Sequence, residues 1–109
     1  MKKFLWEILV PTEKRLPKTK NRYYTTKYHK NWDAKVRKIS GGLTILTPTK
    51  GQWISDAGEL YSERMIPVRF IATKAEAEKI VDFTIIYYDQ LAVLCYKISN
   101  CIILKSRND

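Results

Sequence analysis

The chain has 109 residues, of which 45% are apolar, with four glycines and four prolines. That is enough for one hydrophobic core and too little for two, and it excludes a wholly disordered chain or a low-complexity array. Lys and Arg number 20 against 11 Asp and Glu, a net charge of +9. Residues 1–40 hold twelve basic and three acidic residues while residues 41–109 hold eight of each, so the whole excess lies in the first 40.

Residues 3–10, KFLWEILV, alternate as a strand with Phe4, Trp6, Ile8 and Val10 on one face and Leu5, Glu7 and Leu9 on the other. Lys2 and Lys3 before an apolar run mimic a secretion signal. Glu7 interrupts the run and no small-residue cleavage site follows, so a first strand is the better reading. Residues 12–24 lack any period and read as an exposed basic loop. Residues 26–39 set Tyr28, Trp32, Val36 and Ile39 on one helical stripe, with Thr25 or Thr26 as cap and Gly41–Gly42 as the stop. LTILT (43–47) is a strand by its β-branched content, PTKG a turn or bulge, and QWIS resumes the strand. Residues 60–72 form the next strand, where Pro67 predicts a bulge. Residues 74–88 form a second helix with Thr73 and Glu76 as a capping box and a stripe of Ala77, Ile80, Val81, Ile85 and Tyr88. LAVLCYKI (91–98) is the last strand.

The order β-α-β-β-α-β predicts a single α+β domain over 1–109 of ferredoxin-like type, with strand order 4-1-3-2, an antiparallel sheet and two helices on one face. The stretches GGLT (41–44), GQW (51–53), Gly58, Glu63 in SERM, and Gln90 with Val93 form a pattern over residues 28–98. This pattern resembles a family of small bacterial domains of unknown function. The resemblance implies a ferredoxin-like fold and no activity.

The chemistry available is narrow. His29 stands alone, and Cys95 and Cys101 sit apart from it and from each other, so neither a zinc site nor a disulfide is expected, and both thiols read as reduced, apolar packing residues. His29 reads as a surface residue. Gly41–Gly42 lead into a strand, the reverse of a phosphate-cradling loop. Trp53 and Gln52 read as a ligand platform or, preferentially, as hairpin packing of a largely buried Trp53 on Tyr61 or Met65. On the helix-free sheet face Glu7 is expected between Arg69 and Lys97, either as the floor of a ligand cleft or as a salt-bridge cluster in a dimer interface.

Three functions follow from these residues. The first is a small binding or assembly module without assignable activity or cofactor: cytoplasmic, with no membrane-spanning segment, and homodimeric through the open face of Leu5, Leu9, Ile71 and Val93. The second is a nucleic-acid binder using residues 12–38, with Lys14, Arg15, Lys18, Lys20, Arg22, Lys27 and Lys30 on phosphates and Tyr23, Tyr24 and Tyr28 on bases. The third is a small enzyme with a pocket between sheet and hairpin, formed by Gln52, Glu63, Tyr88 and Gln90.

Overall fold

A computed structural model describes residues 1–15 and 21–107. In chain order the elements are β1 (Phe4–Pro11), α1 (Thr26–Ser40), β2 (Thr44–Ile45), β3 (Thr49–Ile54), β4 (Leu60–Ala72), α2 (Lys74–Tyr87) and β5 (Cys95–Ser99). The sheet is antiparallel and runs β2-β4-β1-β5, with β3 also paired to β4. With β2 and β3 counted as the two halves of one interrupted strand, this is the expected 4-1-3-2 order of a ferredoxin-like α+β domain.

Both helices begin and end where local chemistry dictates. Thr25 caps α1 by accepting from the Tyr28 amide, and Gly41 ends it at φ 88°, in the left-handed region that a side chain strains. Thr73 and Glu76 close a reciprocal capping box on α2. The core lies between the helices and the even-numbered face of β1 and β4: Ile8, Val10, Val68, Phe70 and Ala72 meet Trp32, Val36, Ala77, Ile80 and Tyr88. Within it the Trp32 indole donates to the Thr84 hydroxyl at 3.0 Å, and that hydroxyl donates back to the Ile80 carbonyl.

A lattice of tyrosines ties the start of α1 to the end of α2. Tyr28 and Tyr87 stack at 4.2 Å and exchange hydroxyl-to-carbonyl hydrogen bonds. The Tyr24 hydroxyl donates to the Tyr88 carbonyl at 2.5 Å, and the Tyr88 hydroxyl meets His29 Nδ1 at 2.6 Å. His29 is therefore no surface residue. It is half-buried against Tyr24 and Tyr88, and burial pushes its pKa below the ordinary value.

Three other expectations are corrected. Pro67 makes no bulge in its own strand, because β4 keeps regular register with β1 through Leu9↔Pro67. The irregularity lies across from it. Ile45 pairs with Val68 and Thr49 with Met65, so residues 46–48 stand opposite only residues 66–67. Leu46 still donates to the Pro67 carbonyl at 2.9 Å, so the extra residue falls within Thr47–Pro48, where the ladder opens beside Pro67, which has no N–H to donate. Trp53 is 49% exposed rather than buried, although it does stack on Tyr61 at 4.6 Å. Cys101 is exposed, so only Cys95 packs on the core.

Candidate functional site

The helix-free sheet face is built from the odd-numbered residues of β1 and β4. Leu5, Leu9, Met65, Pro67 and Ile71 make it apolar, and Glu7 is buried at its centre. A carboxylate there is tolerable only with partners. Glu7 has two. Arg69, directly across on β4, donates through Nε to Oε1 at 3.0 Å, and Tyr96, directly across on β5, donates its hydroxyl to Oε2. The Tyr96 hydrogen bond, helped by Arg69 and opposed by burial, holds the Glu7 pKa below the usual carboxylate value.

Lys97 is not the second flank of Glu7. It pairs opposite Trp6, shares the helix side of the sheet with Cys95, and lays its ammonium 4.6 Å from the Phe4 ring centroid. Alternation along β5 places Cys95 opposite Ile8, so Tyr96 faces the open side. Burial pushes the Cys95 thiol up to about 11, and a thiol held protonated at neutral pH is a poor nucleophile.

At one end of β4 the sheet continues as a two-stranded arm. β1 stops at Pro11↔Met65, and from there to Leu60 the strand pairs with β3 alone. The arm stretches the molecule to 53 Å along its longest axis. Trp53 and Tyr61 occupy the same parity as the open face, and Ile54 and Leu60 the opposite parity. All four are exposed, so the tip of the arm presents an apolar pair on each side, with Lys50, Arg64, Gln52 and Ser62 behind Ile54 and Leu60 on one of them. The Met65 methyl carbon crosses Gly51, 2.3 Å from where a Cβ would stand, so a side chain there would make the methionine end swing aside. Gln52 reaches Ser62 Oγ at 3.3 Å, and Glu63, beside Gly51, lines an open hollow of about 520 Å³ with Glu13, Lys50 and Arg64.

The residues foreseen as one pocket are thus dispersed. Glu7 and Arg69 lie together on the open face, and Gln52, Trp53 and Glu63 are on the arm. Tyr88 is in the core, and the Gln90 amide donates to the Tyr88 carbonyl at 2.9 Å. A second cavity, of about 400 Å³, lies at the opposite end of the open face. Its wall includes Lys3, Thr44 and Leu104 besides Leu5, Arg69 and Ile71. Thr44 closes the GGLT stretch, whereas Lys3 and Leu104 carry no motif and join the wall only through the fold.

The basic first third is partly neutralised. Arg15 pairs with Asp89 at 3.4 Å and Arg22 with Glu13 at 2.8 Å, and a Glu13↔Tyr23 bridge closes the neck of the loop. Tyr24 and Tyr28 are packed against α2, leaving Tyr23 as the exposed ring of the three. Lys14 is half-buried, while Lys27 and Lys30 are exposed on α1. Lys18 and Lys20 lie outside the described residues. Among the described residues no three His, Cys, Asp or Glu side chains gather in a metal-holding group, and no helix is long and apolar enough to cross a membrane.

No protein-family model matches the chain, and no curated protein sequence matches it significantly. Solved structures do. The divalent cation tolerance protein Cut A1 from Thermus thermophilus superposes with a TM-score of 0.64 at 8% identity, covering 96% of this chain and 87% of that one. CutA1 from Oryza sativa gives 0.63 at 7% identity, covering 97% and 83%. A phage SAM lyase in complex with S-methyl-5'-thioadenosine gives 0.66 at 14% identity, covering 90% and 81%. At these identities the likeness establishes the fold this chain shares with them.

Proposed function

We propose that this chain is a small self-associating binding module of the cytoplasm, in which the arm of one copy covers the open sheet face of another. The arm carries the reading. An isolated two-stranded ribbon is marginal in water, and the tip of this one exposes an apolar pair on each side, so the body it springs from cannot cover both. The charge distribution is compatible with a second copy as the partner only through the open face. A chain of net charge +9 repels itself wherever Lys27, Lys30, Lys35, Arg37 and Lys38 of α1 would meet, whereas the open face is apolar and its central acid and base compensate. Reciprocal exchange of arms gives a dimer and head-to-tail exchange a closed ring; both hide the arm and the face together. The free thiols of Cys95 and Cys101 suit a reducing compartment.

Light scattering on a size-exclusion column at micromolar concentration tests this. The parent elutes as a multimer, and the double variant Ile54→Lys/Leu60→Lys as a monomer. A parent of single-chain mass overturns the proposal.

One observation favours a second reading, an enzyme acting on an adenosyl thioether or its sulfonium parent. The structural neighbour that holds S-methyl-5'-thioadenosine covers 90% of this chain, and the Trp53–Tyr61 stack offers an exposed aromatic surface of the kind on which bases stack. Incubation with SAM, followed by chromatography for S-methyl-5'-thioadenosine, decides it; no product at any protein concentration removes this reading. The nucleic-acid reading has less support, since two of its arginines are paired with acids and two of its tyrosines are packed on α2.

A further inference from the structure

The cavity at the α1–β2 end of the open face lies at the far end of β4 from the arm. Its volume of about 400 Å³ falls within the usual range for small-molecule sites. We propose that it binds a small organic carboxylate, with the carboxylate between Arg69 and Lys3 and an apolar body on Leu5, Leu43 and Ile71.

Three features on its wall carry this. The first is a half-used guanidinium. Arg69 spends Nε on Glu7, and among the described residues its two terminal nitrogens have no hydrogen-bond partner. Such a fork suits a second, planar carboxylate. The second is the charge balance. Glu7 cancels Arg69, and Lys3 leaves the wall at +1. Lys3 also exerts a pull on Glu76 of α2, but that carboxylate is held by the Thr73 amide at 2.8 Å and forms no ion pair with Lys3. A carboxylate matches a single positive charge, whereas a phosphate monoester carries close to two negative charges at neutral pH. The third is the floor. Leu5, Leu43 and Ile71 provide apolar surface, and Leu104 of the C-terminal segment stands at the rim with 83% of its surface exposed, placed to close over a bound body. The Thr44 hydroxyl, whose residue pairs directly with Arg69, adds a donor at the carboxylate end.

The cavity shares Leu5, Arg69 and Ile71 with the open face, so its test is made on the monomeric arm variant Ile54→Lys/Leu60→Lys as well as on the parent. Isothermal titration of the full chain with octanoate, octylamine and octyl phosphate shows octanoate binding most tightly and octylamine not at all. Lys3→Glu turns the wall from +1 to −1 at an exposed position that the fold does not need, and it weakens octanoate at least about tenfold, in line with a charged hydrogen bond. Arg69→Lys keeps a cation for Glu7 but loses the fork, and weakens octanoate several-fold. In the arm variant Ile54→Lys/Leu60→Lys, where no partner covers the face, octanoate binds at least as tightly as in the parent and keeps the same preference over octylamine. Equal binding of octylamine, tighter binding of octyl phosphate, or an unchanged affinity in Lys3→Glu overturns the assignment, whatever the light scattering shows.

Discussion

Replacing Tyr96 with Phe removes one oxygen and leaves the ring, and so isolates what the hydroxyl does for Glu7. The Glu7 side chain is 10% exposed, and its two oxygens are divided between Arg69 and Tyr96. A hydrogen bond to a charged group contributes about 1.5–3 kcal/mol. Tyr96 is itself 40% exposed, so water can reach the vacated position, and the loss should fall at the lower end, about 1.5 kcal/mol. The pH dependence gives the reasoning its sign. The folded-state pKa of Glu7 is lowered, so its stabilisation is complete above the unfolded value and fades as pH falls through the folded one. Parent and variant are therefore expected to differ in urea midpoint at pH 7 and to converge as pH drops through the carboxylate range. Urea titrations followed by far-UV circular dichroism, at one fixed protein concentration so that association does not shift the midpoints, measure both quantities. An equal gap at pH 7 and at pH 3 would show that the hydroxyl stabilises something other than an ionised Glu7.

Thr84→Val keeps the side-chain shape but strands the buried Trp32 N–H, and should cost about 1–3 kcal/mol in the same titration; Trp32→Phe made on that background should cost less than it does in the parent. Trp53→Ala removes a half-exposed stacked ring, so the separated chain should lose only about 0.5–1.5 kcal/mol, while the association constant measured by dilution light scattering drops much further. His29 has a lowered folded-state pKa, with Asp33 opposing the shift and Tyr24 and Tyr88 packed against the ring. The folded state binds its proton less readily, so stability should decline as pH falls below about 6.5, and His29→Gln should flatten that slope between pH 7 and 5.

Much of the fold was legible because its signals are local. The Thr25 and Thr73 caps, the Glu76 capping box, the Gly41 stop and the α1 stripe each lie within one element, and the structure realises each of them, while on α2 the core takes Thr84 where the stripe had Ile85. The first departures occur where a residue's fate depends on what lies across the sheet. Pro67 disturbs the ladder on the partner strand, because its missing N–H matters only where another strand would have accepted it. Lys97 falls on the helix side because β5 takes its register from Ile8↔Cys95, and parity from an apolar Cys95 already implies that Tyr96 faces outward. Thr84 was missed as a core residue because a threonine in a helix reads as neutral until a buried indole supplies its partner. Tyr23, Tyr24 and Tyr28 read as a nucleic-acid surface because aromatics beside lysines look alike whether they face a base or another helix. Only the packing of α2 separates the two cases.

The buried acid also bears on what the open face can do. A face meant only for self-association is served by leucine and isoleucine, and a charge at its centre carries a desolvation cost that an apolar residue avoids. What Glu7 adds is orientation. By holding Arg69 through Nε, it fixes the guanidinium plane and leaves the terminal nitrogens without a bond to the carboxylate. Tyr96 takes the remaining carboxylate oxygen, so Arg69 is not drawn into a two-point pair that would use both sides of its fork. The Glu7–Tyr96–Arg69 cluster thus holds an arginine in a preset pose on an apolar floor, an arrangement that recognition of an anion requires and packing alone does not. On that argument Tyr96→Phe, absent from the cavity wall, should weaken octanoate binding by freeing Glu7 to form a two-point pair with Arg69. A variant that loses stability as expected yet keeps its octanoate affinity would separate the cluster's structural role from any part in binding.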